Sequence, residues 1–277
     1  VFSVVDRRFD RPLAMKVILG QADAARTGRT PGVPAQQLAR FANEARITGQ
    51  LQHPGIIPVH DLGTRDDGCA FFTIKLVRRV TLGEALERCA SGAPEWSIAR
   101  VLGVVVRVCD AVAFAHDRGV IHRDLKPSNV MLGDFGEVYV MDWGLARRLT
   151  REEPSAADAG APELLGQAGN TQDGRVLGTP SYMSPEQARG EISRMDARSD
   201  VYAIGAILHH LLSGRPPYAR EGRPTTAEEV LLALKQGPPP PLSASAGPPA
   251  LVAICERAMA YDAERRYADV RALALDL

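Results

Sequence analysis

The sequence predicts an α+β fold in which a small strand-rich first part precedes a larger helical part. Three observations carry that reading. Up to about residue 80 the β-prone runs VFSVVDRR, PLAMKVIL, IIPVHDLG and CAFFTIKLV dominate, interrupted by a single helical pattern. From Thr81 onward apolar residues recur at the spacing of helix faces. One stretch, 199–213, is apolar on almost every side, as expected of a helix buried at the centre of a large domain.

The elements follow in order. The first two runs flank a polar turn and read as a hairpin. Between residues 35 and 52, Leu38, Phe41, Ala42, Ala45, Thr48 and Leu51 fall at helical spacing, with Gln37, Arg40 and Glu44 between them. His53-Pro54-Gly55 stops that helix. The next two runs are strands. Residues 96–116 set Val101, Val105, Val108, Val112 and Ala115 on one stripe. The 199–213 helix has Ser199 as its expected N-cap and ends at Gly214, before Pro216-Pro217. Residues 227–236 and 249–260 supply two more helices, joined by PPPPLSASAGPP, which reads as a surface connector. Residues 20–34 and 150–176 lack a sustained apolar period and read as mobile loops, of a length that is usually functional or disordered.

Composition narrows the function. The chain has 277 residues, enough for a real core, with 33 basic and 33 acidic side chains. Zero net charge argues against bulk binding to nucleic acid or to an anionic membrane. Four dispersed cysteines with no CxxC pair read as free thiols in a reducing compartment. The longest apolar stretch, 98–115, carries Arg100, Arg107 and Asp110, so no membrane contact is expected within the segment. Of the basic residues 29 are Arg, and only Lys16, Lys75, Lys126 and Lys235 are Lys.

The string VIHRDLKPSNVMLGDFGEVYVMDWGLAR, 120–147, concentrates the chemistry. A lone Asp-x-Lys pair is ordinarily a solvated surface pair, but here it stands in an H-R-D-L-x-x-x-N pattern formed by His122, Arg123, Asp124, Leu125 and Asn129. AMK at 14–16, Glu44, SPE at 184–186 and SDVYAIG at 199–205 complete an ordered set. In these motifs the chain resembles the eukaryotic-type Ser/Thr protein kinases, most closely their bacterial members, over essentially its whole length.

The resemblance implies a bilobal protein kinase fold: a β-rich N-lobe over 1–77, a helical C-lobe over 78–277 and an activation segment over 142–186. It implies ATP and Mg²⁺ as cofactors, with Mn²⁺ as an alternative ion. Phosphoryl transfer depends mainly on positioning and charge neutralisation. Asp124 would receive or orient the substrate hydroxyl proton, Lys126 would neutralise the moving phosphoryl group, and Asn129 would offer its amide oxygen to the metal ion. Lys16 and its partner Glu44 would hold the α- and β-phosphates. Val1, Ala14 and Met131 would sandwich the adenine, with Ile74 as gatekeeper and the backbones of Lys75 and Val77 as hinge.

Two triplets compete for the metal aspartate. Asp134-Phe135-Gly136 carries the usual spelling, whereas Asp142-Trp143-Gly144 departs from it at the aromatic. Four residues separate Asn129 from Asp134, too few for two strands and a turn; twelve separate it from Asp142, enough for a hairpin. Asp142 is therefore the expected metal ligand and Asp134 a turn residue. Val1 lies fifteen residues before Lys16, where the valine closing the family's glycine-rich loop falls. The N-lobe thus reads as truncated at its start, and the chain as written is expected to bind ATP poorly.

Further expectations also come from the family. Thr179 would bond Asp124 and Lys126 as part of a Ser/Thr substrate platform. Glu186 would pair with Arg266, and Asp200 would cap the catalytic-loop backbone. Arg123 would receive a phosphate on the activation segment, with Thr171 first and Ser181 second as acceptors. Ser128 stands where some kinases place an acidic residue, so no strong preference for basic substrates is expected. The partners would be ATP and Ser/Thr-containing proteins, with a homodimer as the arrangement for autophosphorylation. The setting would be cytoplasmic, either free or as the inner domain of a membrane-anchored receptor. Two alternatives stand beside this reading, a pseudokinase scaffold and a small-molecule phosphotransferase.

Overall fold

The computed structural model describes residues 1–18, 35–66, 68–77, 80–148, 180–243 and 245–277. Both loop expectations, 20–34 and 150–176, fall outside the described residues, as do Thr171 and Thr179.

The first part is a four-stranded antiparallel sheet with one helix on it. Its strands are β1 (Phe2–Asp6), β2 (Arg11–Val17), β3 (Val59–Thr64) and β4 (Ala70–Lys75), in the order β1-β2-β4-β3. The β1–β2 turn is held by Asp6, whose carboxylate accepts from the Arg8 amide (3.0 Å) and from Arg11 Nε (3.2 Å). Phe2 pairs with Met15, which brings Val1 level with Lys16 at the end of the sheet. Helix α1 (Ala35–Gln50) lies on the sheet through a small core of Phe41, Ala45 and Phe72, the two rings 4.9 Å apart. Ala14 and Ile74 are neighbours in the β2–β4 ladder.

The second part is helical around a single large core. Helices α2 (Leu82–Ala90) and α3 (Ile98–Asp117) start on side-chain caps: Thr81 forms a capping box with Glu84, and Ser97 Oγ accepts from the Arg100 amide (3.2 Å). The predicted stripe Val101, Val105, Val108, Val112 and Ala115 is buried throughout. Each such valine contributes on the order of 1.5 kcal/mol or more by leaving water. The central helix, Ala197–Ser213, buries Val201, Ile204, Ile207, Leu208, Leu211 and Leu212 together, as its all-round apolar sequence predicts.

Its start corrects the expectation. The N-cap is Asp196, which accepts from the Arg198 amide at 2.8 Å. Ser199 lies inside the helix, buried, and donates to Glu186 Oε1 (2.8 Å). Both residue types cap helices; the one with a buried carboxylate to satisfy was drawn inward. Gly214 ends the helix in the left-handed conformation (φ 71°), as expected. Ala227–Gln236 appears as predicted, and Pro249–Ala258 stops two residues short of the expected end.

The central helix meets Pro249–Ala258 closely at Gly205. A Cβ there would lie 2.8 Å from both Ala258 Cβ and Met259 Cγ. Gly205→Ala should therefore cost about 1–3 kcal/mol through overpacking, read as a lower midpoint in denaturant unfolding.

Candidate active site

The site forms where the sheet meets the helical part. After the short strands β5 (Val80–Thr81) and β6 (Val120–Ile121), strands β7 (Val130–Leu132) and β8 (Val138–Val140) make a hairpin whose tip, 133–137, contains Asp134. Phe135 at that tip is 94% exposed, so the familiar spelling sits on an open turn. At the hairpin's other end Met141 N donates to Asn129 O (2.8 Å), and this places Asn129 beside Asp142.

The residues of the 122–129 loop are fixed from several sides. Lys126 Nζ donates to both Asp124 oxygens (3.0 and 2.8 Å). Asn129 Nδ2 donates to Asp124 O (2.8 Å) and Oδ2 (3.1 Å). Those bonds use the amide's nitrogen and leave its oxygen as an acceptor for a cation. His122 is fully buried; its Nδ1 accepts from the Asp124 amide (3.2 Å), and Nε2 donates to Met141 O (3.0 Å), which defines a neutral ring. Trp143 packs on that ring, centroids 4.5 Å apart, and is itself fully buried. The bulky ring in place of the family's phenylalanine is therefore accommodated behind the site.

Beneath the loop, Asp200 on the central helix collects three donors. Its Oδ2 accepts from His122 N (2.8 Å) and from His116 Nε2 (2.7 Å), and its Oδ1 from Arg123 N (2.9 Å). Burial pushes its carboxyl up, but the His116 bond and the other donors outweigh that and hold it below the ordinary carboxylate value. Arg123 (φ 69°) and Asp142 (φ 61°) both have left-handed backbones. Such strain persists where the surroundings over-determine the chain, commonly at functional sites.

From the sheet, Lys16 Nζ donates to both oxygens of Glu44 (2.7 and 2.9 Å) and lies 3.6 Å from Asp142 Oδ1. Burial lowers the Lys16 pKa, yet Asp142 and Glu44 together raise it above its ordinary value. Burial raises Glu44; Lys16 pulls it back, Asp142 pushes it up again, and the net is upward. Two carboxylates thus face one ammonium, a surplus of negative charge that suits a divalent cation. Gly144 lets the two carboxylates approach: a Cβ there would lie 3.3 Å from both Asp142 Oδ1 and Glu44 Oε2. Asp142 and the Asn129 amide oxygen are hard donors, and Mg²⁺ typically takes only one or two protein ligands beside substrate phosphates.

Glu186 and Arg266 form a buried two-pronged pair (2.8 and 2.9 Å). Burial raises the Glu186 carboxyl, but the bonds and charge of Arg266 overcome this and take its pKa down to about 2. Ser181 is 1% exposed, its hydroxyl covered by the surrounding chain. Val1 is 82% exposed at the sheet's end, and Met131 and Val77 are half-buried.

Three supporting residues were missed in the sequence. His116 holds Asp200, Gln187 Nε2 donates to Arg123 O (2.6 Å), and Tyr182 bonds His210 Nδ1 (2.7 Å). Burial lowers the His210 pKa to about 4, so the ring is neutral beside the tyrosine hydroxyl. Each partner lies far along the chain, and no local pattern signals the pairing.

Comparison with known proteins agrees with this geometry. The family model for the protein kinase domain matches residues 1–273. The chain belongs to the protein kinase family. It is 35% identical over 276 residues to the serine/threonine-protein kinase PknB of Mycolicibacterium smegmatis, covering 98% of this chain and 39% of that protein. It is 32% identical over 292 residues to the serine/threonine-protein kinase PknD of Protochlamydia amoebophila, covering 100% of this chain and 28% of that protein. The chain thus spans well under half the length of these curated relatives. Among the described residues no helix is long and apolar enough to cross a membrane.

Proposed function

We propose that the chain is a serine/threonine protein kinase catalytic domain that moves the γ-phosphoryl group of ATP to hydroxyls of protein substrates. The observation that carries this reading is the linked set Lys16–Asp142, Met141–Asn129 and Asn129–Asp124–Lys126, which joins the two lobes at one cleft. The lobes divide at residues 77 and 78, and the adenine lies between Ala14, Val1 and Met131, with Ile74 behind it and the Lys75 and Val77 backbones at its edge. Lys16, oriented by Glu44, holds the α- and β-phosphates. A Mg²⁺ ion on Asp142 and Asn129 would neutralise phosphate charge. Asp124 orients the substrate hydroxyl and takes its proton, while Lys126 offsets charge on the transferred group. Thr179 serves the substrate platform, Thr171 is the acceptor for an activating phosphate, and Arg123 receives it. Autophosphorylation between two copies would supply that phosphate. Four dispersed cysteines with no CxxC pair and the need for ATP support a cytoplasmic setting.

The presence of Lys16, Glu44, Asp124, Asn129 and Asp142 together argues against the scaffold alternative, and nucleotide binding measured together with phosphate transfer decides between them. ATP with Mg²⁺ at about 100 times Kd should stabilise the intact protein by about 2.7 kcal/mol, seen as a rise in Tm of several degrees. Lys16→Met should lose that rise, and Asp142→Asn should lose its Mg²⁺-dependent part. No rise in the wild-type protein at millimolar ATP would sink the proposal.

A further inference from the structure

Of the four lysines, Lys75 has no role in the chemistry above beyond its backbone. Its side chain nevertheless has a specific position. It ends β4, the last strand of the sheet lobe, and crosses to the helical lobe. Nζ donates to Tyr139 Oη at 2.5 Å, lies 4.8 Å from the centre of that ring and sits 3.6 Å from Glu137 Oε1. Tyr139 is 8% exposed and lies in β8 opposite Met131. Glu137 is fixed in turn, its carboxylate accepting from the Phe135 amide (3.0 Å).

The sheet lobe grips β8 at a second place. Val140 N donates to Gly55 O (2.8 Å), and Ile57 N donates to Val140 O (3.3 Å). One attachment leaves a pivot between two bodies; two attachments on the same strand remove it. The strand they grip runs directly into Met141 and Asp142. Any change in the separation of the lobes therefore acts on the strand that carries the metal aspartate, and on Met131 across the ladder.

We propose that Lys75 is a positioning residue that latches the sheet lobe to β8 through Tyr139 and Glu137, and so sets the lobe separation on which nucleotide binding and release depend. The inference rests on the nucleotide lying between the lobes, as the proposed function has it. A compact ammonium serves three neighbours at once here, the phenol oxygen, the ring face and the carboxylate. That accounts for the retention of lysine in a chain that otherwise uses arginine.

Stopped-flow release of a fluorescent ADP analogue, together with steady-state kinetics, tests the latch on the intact protein. Lys75→Met should speed ADP release and raise the KM for ATP by about three- to tenfold, Tyr139→Phe should do so by less, and the double variant should not exceed Lys75→Met, because the phenol acts only through the ammonium. Lys75→Arg should speed release as well, since a planar guanidinium cannot serve the phenol oxygen, the ring face and the carboxylate together. Tyr139→Phe keeps the buried ring, so it carries the test even if Lys75→Met folds poorly. Unchanged release in Tyr139→Phe, or effects that multiply in the double variant, would overturn the latch. A wild-type protein that binds no nucleotide would overturn the cleft reading, and the latch with it.

Discussion

Asp124→Asn should lower the rate of phosphoryl transfer by about 10²–10⁴-fold, the usual contribution of a positioned base. The substitution keeps the side chain's shape and removes its charge and one of its acceptors. Asp124 is bound by Lys126 on both oxygens and by Asn129 on one, so an amide there turns a donor toward a donor. The side chain is part-exposed and contributes little to the core, so folding should survive. The expected pattern is a fall in kcat with ATP binding retained, read by steady-state kinetics alongside a thermal-shift titration. A fall in ATP affinity with kcat intact would place Asp124 in nucleotide binding.

Arg266→Ala has the largest expected effect on stability. It strands the Glu186 carboxylate in the protein interior, and breaking a buried pair in this way costs about 3–5 kcal/mol. The guanidinium also donates to the carbonyls of Ala260 (2.8 Å) and Arg198 (3.1 Å), so four chain segments lose a common anchor. The pH dependence separates charge from packing. The folded Glu186 pKa of about 2 lies below its ordinary 4.5, so the unfolded chain binds the extra proton between those values. The stability it contributes is full above pH 4.5 and is lost as pH falls toward 2. Arg266→Ala should flatten this part of the stability–pH curve, and adding Glu186→Gln should recover part of the loss by removing the orphan charge. An Arg266→Ala protein as stable as wild type at pH 7 would refute the anchor.

Much of this molecule is legible from period and spacing. The valine stripe of α3 and the apolar circumference of Ala197–Ser213 are buried because those patterns leave a helix no dry alternative. The choice between Asp134 and Asp142 followed from the length a hairpin needs, and the structure has β7 and β8 with Asp134 in the turn between them. Hydrogen-bond choices over long separations were less legible. Ser199 resembles a cap until Glu186, thirteen residues earlier, claims its hydroxyl. The Lys75–Tyr139 bond spans 64 residues, and nothing in FTIKLV announces it. Ser181 looks like a loop hydroxyl because burial there comes from folding of the Pro180–Ala188 segment onto the central helix, which no local pattern encodes.

The most direct test follows labelled phosphate from the γ position of ATP onto protein in the presence of Mg²⁺, comparing the wild type with Asp142→Asn, followed by identification of the phosphorylated amino acids. The wild type should label serine and threonine hydroxyls, and Asp142→Asn, folded with an unchanged Tm, should label nothing above background. Retained labelling in Asp142→Asn, or label found only on tyrosine, would contradict the account.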